Sequence, residues 1–370
     1  MADKATSGGG RGTRRAGADG KASTTRAATT RATTTRAATS RAAATSRGTT
    51  TRGAKNPAAP TRAGGATGRA SATAAATDRM TAKANDITHP ERSVVKDPPP
   101  APDYPRFRVD PGERIRLADI DPDESEHYGR KKDVADELKR HRDRISDLQA
   151  KLYGEQKRSL LIVLQAMDTG GKDGTIKGVF AGVNPQGCQV WSFKAPSSEE
   201  SAHDFLWRYH QKTPPKGMIH IFNRSHYEDV LIVRVKDLVP ESVWRPRYEA
   251  INQFEYALTS DGVTVLKFFL HISKDEQKRR LESRLQDPDK RWKFSSNDLK
   301  ERAYWEDYQA AFEDAVNECS TDYAPWYVVP ANKKWYRNLV VARTIADSLE
   351  AMNPKFPAAE KGLDKVEIPN

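Results

Sequence analysis

The stretch Arg158–Phe180, which reads RSLLIVLQAMDTGGKDGTIKGVF, constrains this chain more than any other. Leu160–Leu164 is an unbroken apolar run, the pattern of a strand covered on both faces in a parallel sheet. It stops at Gln165 and leads to Gly170-Gly171-Lys172, after which Thr175, Ile176, Val179 and Phe180 resume at helical spacing. Strand, glycine turn with lysine, helix is the layout of a loop that cradles phosphate. Backbone N–H groups and the helix start face the anion, and the lysine adds a mobile charge. The sequence departs from G-x-x-x-x-G-K-[ST] at two places: Ala166 stands where glycine is usual, and Asp173 where a hydroxyl is usual. It also places a carboxylate, Asp168, inside the loop. Two acids beside a phosphate make sense with a cation between them, so Asp168, and with it Asp173, are candidate Mg²⁺ ligands. The bland alternative is a glycine turn entering a helix of an ordinary α/β domain.

Charge is segregated along the chain. Residues 1–90 carry 16 Lys+Arg against 4 Asp+Glu, and the 45 basic and 46 acidic residues from Glu91 onward nearly cancel. The overall +11 therefore describes the first quarter, not a nucleic-acid-binding fold. That quarter is Ala, Thr, Arg, Ser and Gly, with Arg26, Arg31, Arg36, Arg41, Arg47 and Arg52 at a nearly regular step. A stretch without large apolar side chains cannot offset its conformational entropy and is expected to be disordered. It reads as a solubility tail, a polycation tether for a polyanion (the one route to nucleic acid), or a transit peptide. Two cysteines, Cys188 and Cys319, exclude a disulfide framework and a Cys-rich zinc site and suit a reducing compartment. No apolar run reaches the roughly 20 residues needed to cross a membrane. A cytoplasmic location is expected.

After a Pro-rich lead-in at 91–122, Lys132–Tyr153 has the spacing of a long amphipathic helix. Strands are predicted near Leu160–Gln165, Cys188–Phe193, Met218–Phe222, Val263–Leu270 and Trp326–Val329. Helices are predicted near Lys172–Gly182, Ser197–Lys212, Glu241–Thr259, Lys274–Arg284, Asn297–Cys319 and Trp335–Met352. This alternation implies an α/β fold with a parallel five-stranded sheet between helical layers, over 123–355, and a short tail at 356–370. Ligands of such sheets gather at the carboxyl ends of the strands.

Three strand ends besides the loop carry candidate residues. Lys194 follows the second strand and can meet phosphate or remain a surface lysine. Asn223 and Arg224 follow the third, where many phosphate-loop enzymes place an acid. Asparagine cannot act as a base, and Arg224 suits phosphoryl oxygens. The competing reading is a strand-end cap plus an ion pair to Glu228, and His226 reads as a packing histidine. The fourth strand leads into an Arg-rich helix and QDPDKRWKFSS, a candidate lid at about 278–300. Within it Arg284, Lys290 and Arg291 are candidate phosphate contacts, whereas Lys278 and Arg279 read as a solvated face. Trp207, Tyr209, Tyr304, Trp305, Tyr308 and Phe312 sit at helical spacings and read as core.

Together the motifs AMDTGGKDG (166–174), VNPQG (183–187), HDFLWR (203–208), FNRSHYEDVL (222–231), FFLHISKDEQ (268–277), DKRWKF (289–294) and YAPWYVVPANKKWYRN (323–338) resemble the polyphosphate kinase 2 family over about 104–352. Asn223 and YAPWYV look most like the branch that phosphorylates both nucleoside mono- and diphosphates. The resemblance implies a three-layer α/β/α P-loop kinase fold related to thymidylate kinase, with a helical lid. It implies reversible, Mg²⁺-dependent phosphoryl transfer from inorganic polyphosphate to ADP and AMP, with GDP a further acceptor, and a homo-oligomer, dimer or tetramer. By matching positions Asp168 would hold Mg²⁺, with Asp173 as a second ligand. Lys172, with Gly170, Gly171 and Gly174, would contact the transferred phosphate. Arg224, beside Asn223, would stabilise its equatorial oxygens, and lid residues such as Arg284 would clamp the chain. An ATP-dependent nucleotide or nucleoside kinase, and a polyanion-binding protein acting through its tail, are the competing functions. Deleting residues 1–90 should leave folding and catalysis intact while weakening capture of long polyphosphate at low salt, as steady-state rates at rising ionic strength would reveal.

Overall fold

The computed structural model describes residues 107–369; the basic stretch 1–90 and the first half of the Pro-rich lead-in lie outside the described residues. Five strands fall where the apolar runs place them: β2 (Ser159–Gln165), β3 (Cys188–Ser192), β4 (Ile219–Asn223), β5 (Val263–His271) and β6 (Trp326–Pro330). They run parallel in the order β6-β5-β2-β4-β3. The sheet has six strands rather than the expected five. Arg108–Val109, within the Pro-rich lead-in, adds β1 antiparallel to the outer edge of β6, pairing Arg108 with Tyr327 and Val109 with Trp326. A two-residue strand has no periodicity to read, so its pairing partner alone defines it.

β2 lies between β5 and β4, and all seven of its residues are buried, which is why its sequence does not alternate. The same position brings the loop after β2 beside the ends of both neighbours. Helices of eight residues or more are α1 (Ala135–Glu155), α2 (Lys172–Val179), α3 (Arg247–Ser260), α4 (Lys274–Gln286), α5 (Trp305–Cys319) and α6 (Lys334–Met352). α6 packs against α1 and α2, whereas α3 packs on β5 and α5 on α3.

Three expected helices are broken. Ser197–Lys212 holds two single turns, Ser198–Ser201 behind a Ser197/Glu200 capping box and Trp207–His210. Pro246 divides Glu241–Thr259, because it offers no N–H to the turn before it and is at home only at a helix start. Asn297–Cys319 divides at Tyr304 into Ser296–Arg302 and α5. Of the aromatics read as core, Tyr209, Trp305 and Phe312 are buried, but Tyr304 is exposed, with Lys236 3.4 Å above its ring.

A fully buried ionic network joins β5, α3 and the segment after β4. Lys267 Nζ donates to Glu255 Oε2 (2.5 Å), to the Tyr227 hydroxyl (2.9 Å) and to the Cys319 carbonyl (2.6 Å). Glu255 Oε1 accepts from His226 Nε2 and from the Tyr227 hydroxyl, both at 3.0 Å. Burial pushes the Glu255 carboxyl upward, but Lys267 and His226 outweigh it and hold it below the usual range. His226 is thus a packing histidine, as its setting in the sequence suggests. Removing one partner leaves a buried charge exposed to nothing: Glu255→Ala should destabilise by about 3–5 kcal/mol, and the double change Glu255→Leu with Lys267→Met should recover most of that loss in urea unfolding.

Candidate active site

Residues Ala166–Gly174 wrap from the end of β2 into α2, with Thr169 and Gly171 at positive φ (62° and 105°). The departure at Ala166 has a packing explanation. A Cβ on Gly170 would lie 2.5 Å from the Ala166 Cβ, so the methyl at 166 is accommodated by glycine at 170. Lys172 Nζ folds back to donate to the Ala166 carbonyl at 2.9 Å. Burial, then the Arg224 charge, lowers its pKa to about 8. The helix start leaves the N–H groups of Lys172, Asp173 and Gly174 outside the helical ladder, facing the mouth of the loop.

Arg280, on α4, holds the loop from behind. It is 5% exposed, and its Nη1 donates to the carbonyls of Thr169 (3.0 Å) and Gly170 (2.9 Å). Its Nη2 reaches the Ala331 carbonyl at 2.6 Å and its Nε reaches Glu276 at 2.6 Å. Gln277 adds a bond to the Asp168 carbonyl at 3.0 Å. Neither residue stands out in the sequence, because the run KDEQKRRLE reads as a solvated helix face. The available signal was Glu276 four residues before Arg280 at the start of the helix that follows β5.

The second wall comes from the end of β4. Arg224 sits in the left-handed region (φ 64°) and turns its guanidinium to Asp168 Oδ1 at 3.0 Å, with Glu228 at 3.8 Å. The ion pair to Glu228 expected in the competing reading is thus present, and the bond to Asp168 of the loop, which the sequence did not suggest, stands beside it. Asn223 Nδ2 donates to Asp173 Oδ1 at 2.8 Å. The acid missing from the strand end and the acid replacing the loop hydroxyl thus face each other as amide and carboxylate, which avoids two like charges in contact. Asp168, Lys172, Asp173, Asn223 and Arg224 gather beside Gly170, Gly171 and Gly174 at one mouth of the sheet. A cleft of about 110 Å³ opens next to them, lined by Met167, Asp168, Arg224, Glu228, Tyr308 and Phe312 among others.

The remaining candidates are placed elsewhere. Lys194 is exposed beyond β3, and its carbonyl accepts from Arg208 at 2.7 Å. Arg284 donates to Asp298 Oδ2 and to the Lys293 carbonyl, both at 3.4 Å, within the segment expected to be a lid. Lys290 pairs with Asp287, and Arg291 donates to the Leu285 carbonyl at 2.8 Å. Among the described residues, none of Lys194, Arg284, Lys290 and Arg291 bonds a residue of the loop. Lys278 and Arg279 pair with Glu282 and Glu276 on their own helix, the solvated face expected of them.

The fold is α/β, and the cleft with the charged residues around it lies at the carboxyl end of a mostly parallel sheet. The family model for polyphosphate kinase 2 matches residues 128–357. The chain is 52% identical over 264 residues to an AMP/ADP-polyphosphate phosphotransferase of Meiothermus ruber, covering 71% of this chain and 99% of that one. It is 44% identical to an ADP-polyphosphate phosphotransferase of Rhodopseudomonas palustris, covering 68% and 91%. The crystal structure of polyphosphate kinase 2 from Arthrobacter aurescens TC1 superposes with a TM-score of 0.68 at 45% identity, covering 70% of this chain and 93% of that one. The chain belongs to the polyphosphate kinase 2 family. Among the described residues no helix is long and apolar enough to cross a membrane.

The lowered pKa of Lys172 has two consequences. Between about 8 and the ordinary lysine value the unfolded chain keeps a proton the folded loop has lost, so this group's contribution to stability rises with pH. Over the same interval the loop loses its cation. Affinity for inorganic triphosphate, measured calorimetrically from pH 7 to 9.5, should therefore fall above about pH 8 more steeply in the wild type than in Lys172→Arg, whose charge does not titrate there.

Proposed function

We propose that this chain transfers the terminal phosphoryl group of inorganic polyphosphate to a nucleotide, converting ADP to ATP and AMP to ADP. Family membership and the names of the two relatives support this reading. The observation that carries it is the convergence of Lys172, Arg224 and the loop N–H groups on one mouth, with Asp168 and Asp173 between them. A phosphoryl group in flight is loose and highly charged, and its transfer needs positioning and charge neutralisation more than covalent chemistry. In this reading the loop and Lys172 seat the phosphate being transferred, in the manner of a P-loop kinase. Arg224 turns from Asp168 toward its equatorial oxygens. Asn223 supplies no base, and none is required, because a nucleotide phosphate oxygen is already an anionic nucleophile. The cleft between Met167, Tyr308 and Phe312 takes the acceptor, and Arg284, Lys290 and Arg291 come to the phosphates as the lid closes.

Mg²⁺ fits the residues present. Among the described residues no three His, Cys, Asp or Glu side chains gather to cage an ion. Asp168 and Asp173, two carboxylates of one loop, would suit a small hard cation that keeps its waters and draws its other ligands from phosphates. When bound, such an ion neutralises charge on the phosphates being parted. The transfer is reversible in this reading because both directions exchange one phosphoanhydride for another.

The test is product analysis with polyphosphate and Mg²⁺ but no ATP, using AMP, ADP, GMP and GDP as separate acceptors. ATP from ADP and ADP from AMP are expected. A chain that used only ATP as donor would be an ordinary nucleotide kinase. Lys172→Ala and Asp168→Ala should each lower turnover by about a hundredfold or more, read from initial rates, and wild-type rates would refute those roles.

A further inference from the structure

Arg337 lies one turn into α6 and is 2% exposed. Its Nε and Nη2 both donate to Asn338 Oδ1, at 3.1 and 2.8 Å, and its Nη1 is buried without a partner. The guanidinium is pressed against the first turn of α2. A Cβ built on Gly171 would lie 2.0 Å from Nη1, and one on Gly174 would lie 3.4 Å from Nη2. Arg280 is the neighbouring charge, its Nη1 3.6 Å from the same position over Gly171. Arg280 has Glu276 as counter-charge; no ion pair joins Arg337 to any described acid.

This placement is unfavourable three times over. A buried guanidinium has left water without a counter-ion, one of its donors has no acceptor, and it stands beside both a second cation and the positive end of a helix. Desolvation, then Arg280, holds its pKa down at about 9. One group would relieve all three penalties together: an anion with several oxygens at the start of α2. Lys334, one turn earlier on α6, is exposed and lies in the field of the same two guanidiniums, so the basic surface continues outward from the loop.

We propose that Arg337 is a phosphate-binding residue for the polyphosphate donor, its unpaired Nη1 donating to a phosphoryl oxygen of the chain seated at the start of α2. This rests on the function proposed above and adds to it a donor-side contact from α6 that the motif at 166–174 does not contain. It also accounts for Gly171, where any side chain would displace the arginine.

The test uses the full chain and separates the two substrates. In Arg337→Met, which keeps length and removes charge, the KM for polyphosphate should rise about tenfold or more, the usual range for losing one charge-assisted bond. The KM for ADP should stay within about twofold, and thermal stability without ligand should hold or rise, since an uncompensated buried charge has gone. Inorganic triphosphate should raise the melting temperature of the wild type more than that of the variant. A polyphosphate KM equal to that of the wild type, or both KM values rising in parallel, would overturn the proposal. Should Arg337→Met not fold, Arg337→Lys and Arg337→Gln decide by the same ratio of KM values. A wild type that fails to use polyphosphate at all would instead defeat the functional reading, so the two failures are distinguishable.

Discussion

The site depends on a cation that faces away from it. Arg280 accepts no role at the mouth of the loop; it gathers the carbonyls of Thr169 and Gly170 on the loop's far side. Because a trans peptide points its C=O and N–H in opposite directions, holding the Gly170 carbonyl backward aims the Gly171 N–H forward. A phosphate cradle is made of peptide N–H groups, and its shape is therefore set by whatever satisfies the carbonyls behind it. Here that is one buried guanidinium, itself fixed by Glu276 and by the Ala331 carbonyl after β6. The arrangement also ties the loop to α4, where Gln277 adds its bond to the Asp168 carbonyl, so two side chains of one helix brace the loop.

The opposite wall is supported in a different way. Arg224 holds a left-handed backbone conformation that is unfavourable for a side chain of its size, and the segment around it must hold it there. Two residues on, His226 and Tyr227 enter the buried network of Glu255 and Lys267. Ionic pairs of this kind contribute modestly to stability against an apolar alternative but are specific in geometry. The turn after β4 is thereby anchored to β5 and α3, which leaves Arg224 to bond Asp168 across the mouth. Each half of the site is placed by buried charge, the loop through Arg280 and the arginine through Lys267 and Glu255.

The charged segment after α4 is paired within itself. Arg284, Lys290 and Arg291 bond groups of that segment and of the end of α4, while Trp292, 77% exposed, stands clear with Lys293 over its ring. Exposed ion pairs such as Lys290 with Asp287 are weak, in contrast to the buried bonds of Arg280.

Sequence alone determined which segments form the parallel strands, that a glycine turn with lysine follows the first of them, and that Asp168, Asn223 and Arg224 belong with it. These are properties of short windows: an apolar run, a turn, a residue at a strand end. It also carried enough motifs to indicate the family. Tertiary structure alone decided three further matters. The edge strand Arg108–Val109 exists because β6 offers it a partner, not because two residues prefer to be extended. The arginines of α4 differ completely, Arg279 lying in solvent and Arg280 under the loop, although they are adjacent in one charged run. Arg337 and Lys267 carry no sequence signal of their own, and packing alone removes their water. Burial is a property of what lies opposite in space, and the contacts that remove that water join residues on different elements, 52 positions apart for Lys267 with Cys319 and 111 for Arg280 with Thr169, so no local window can register them.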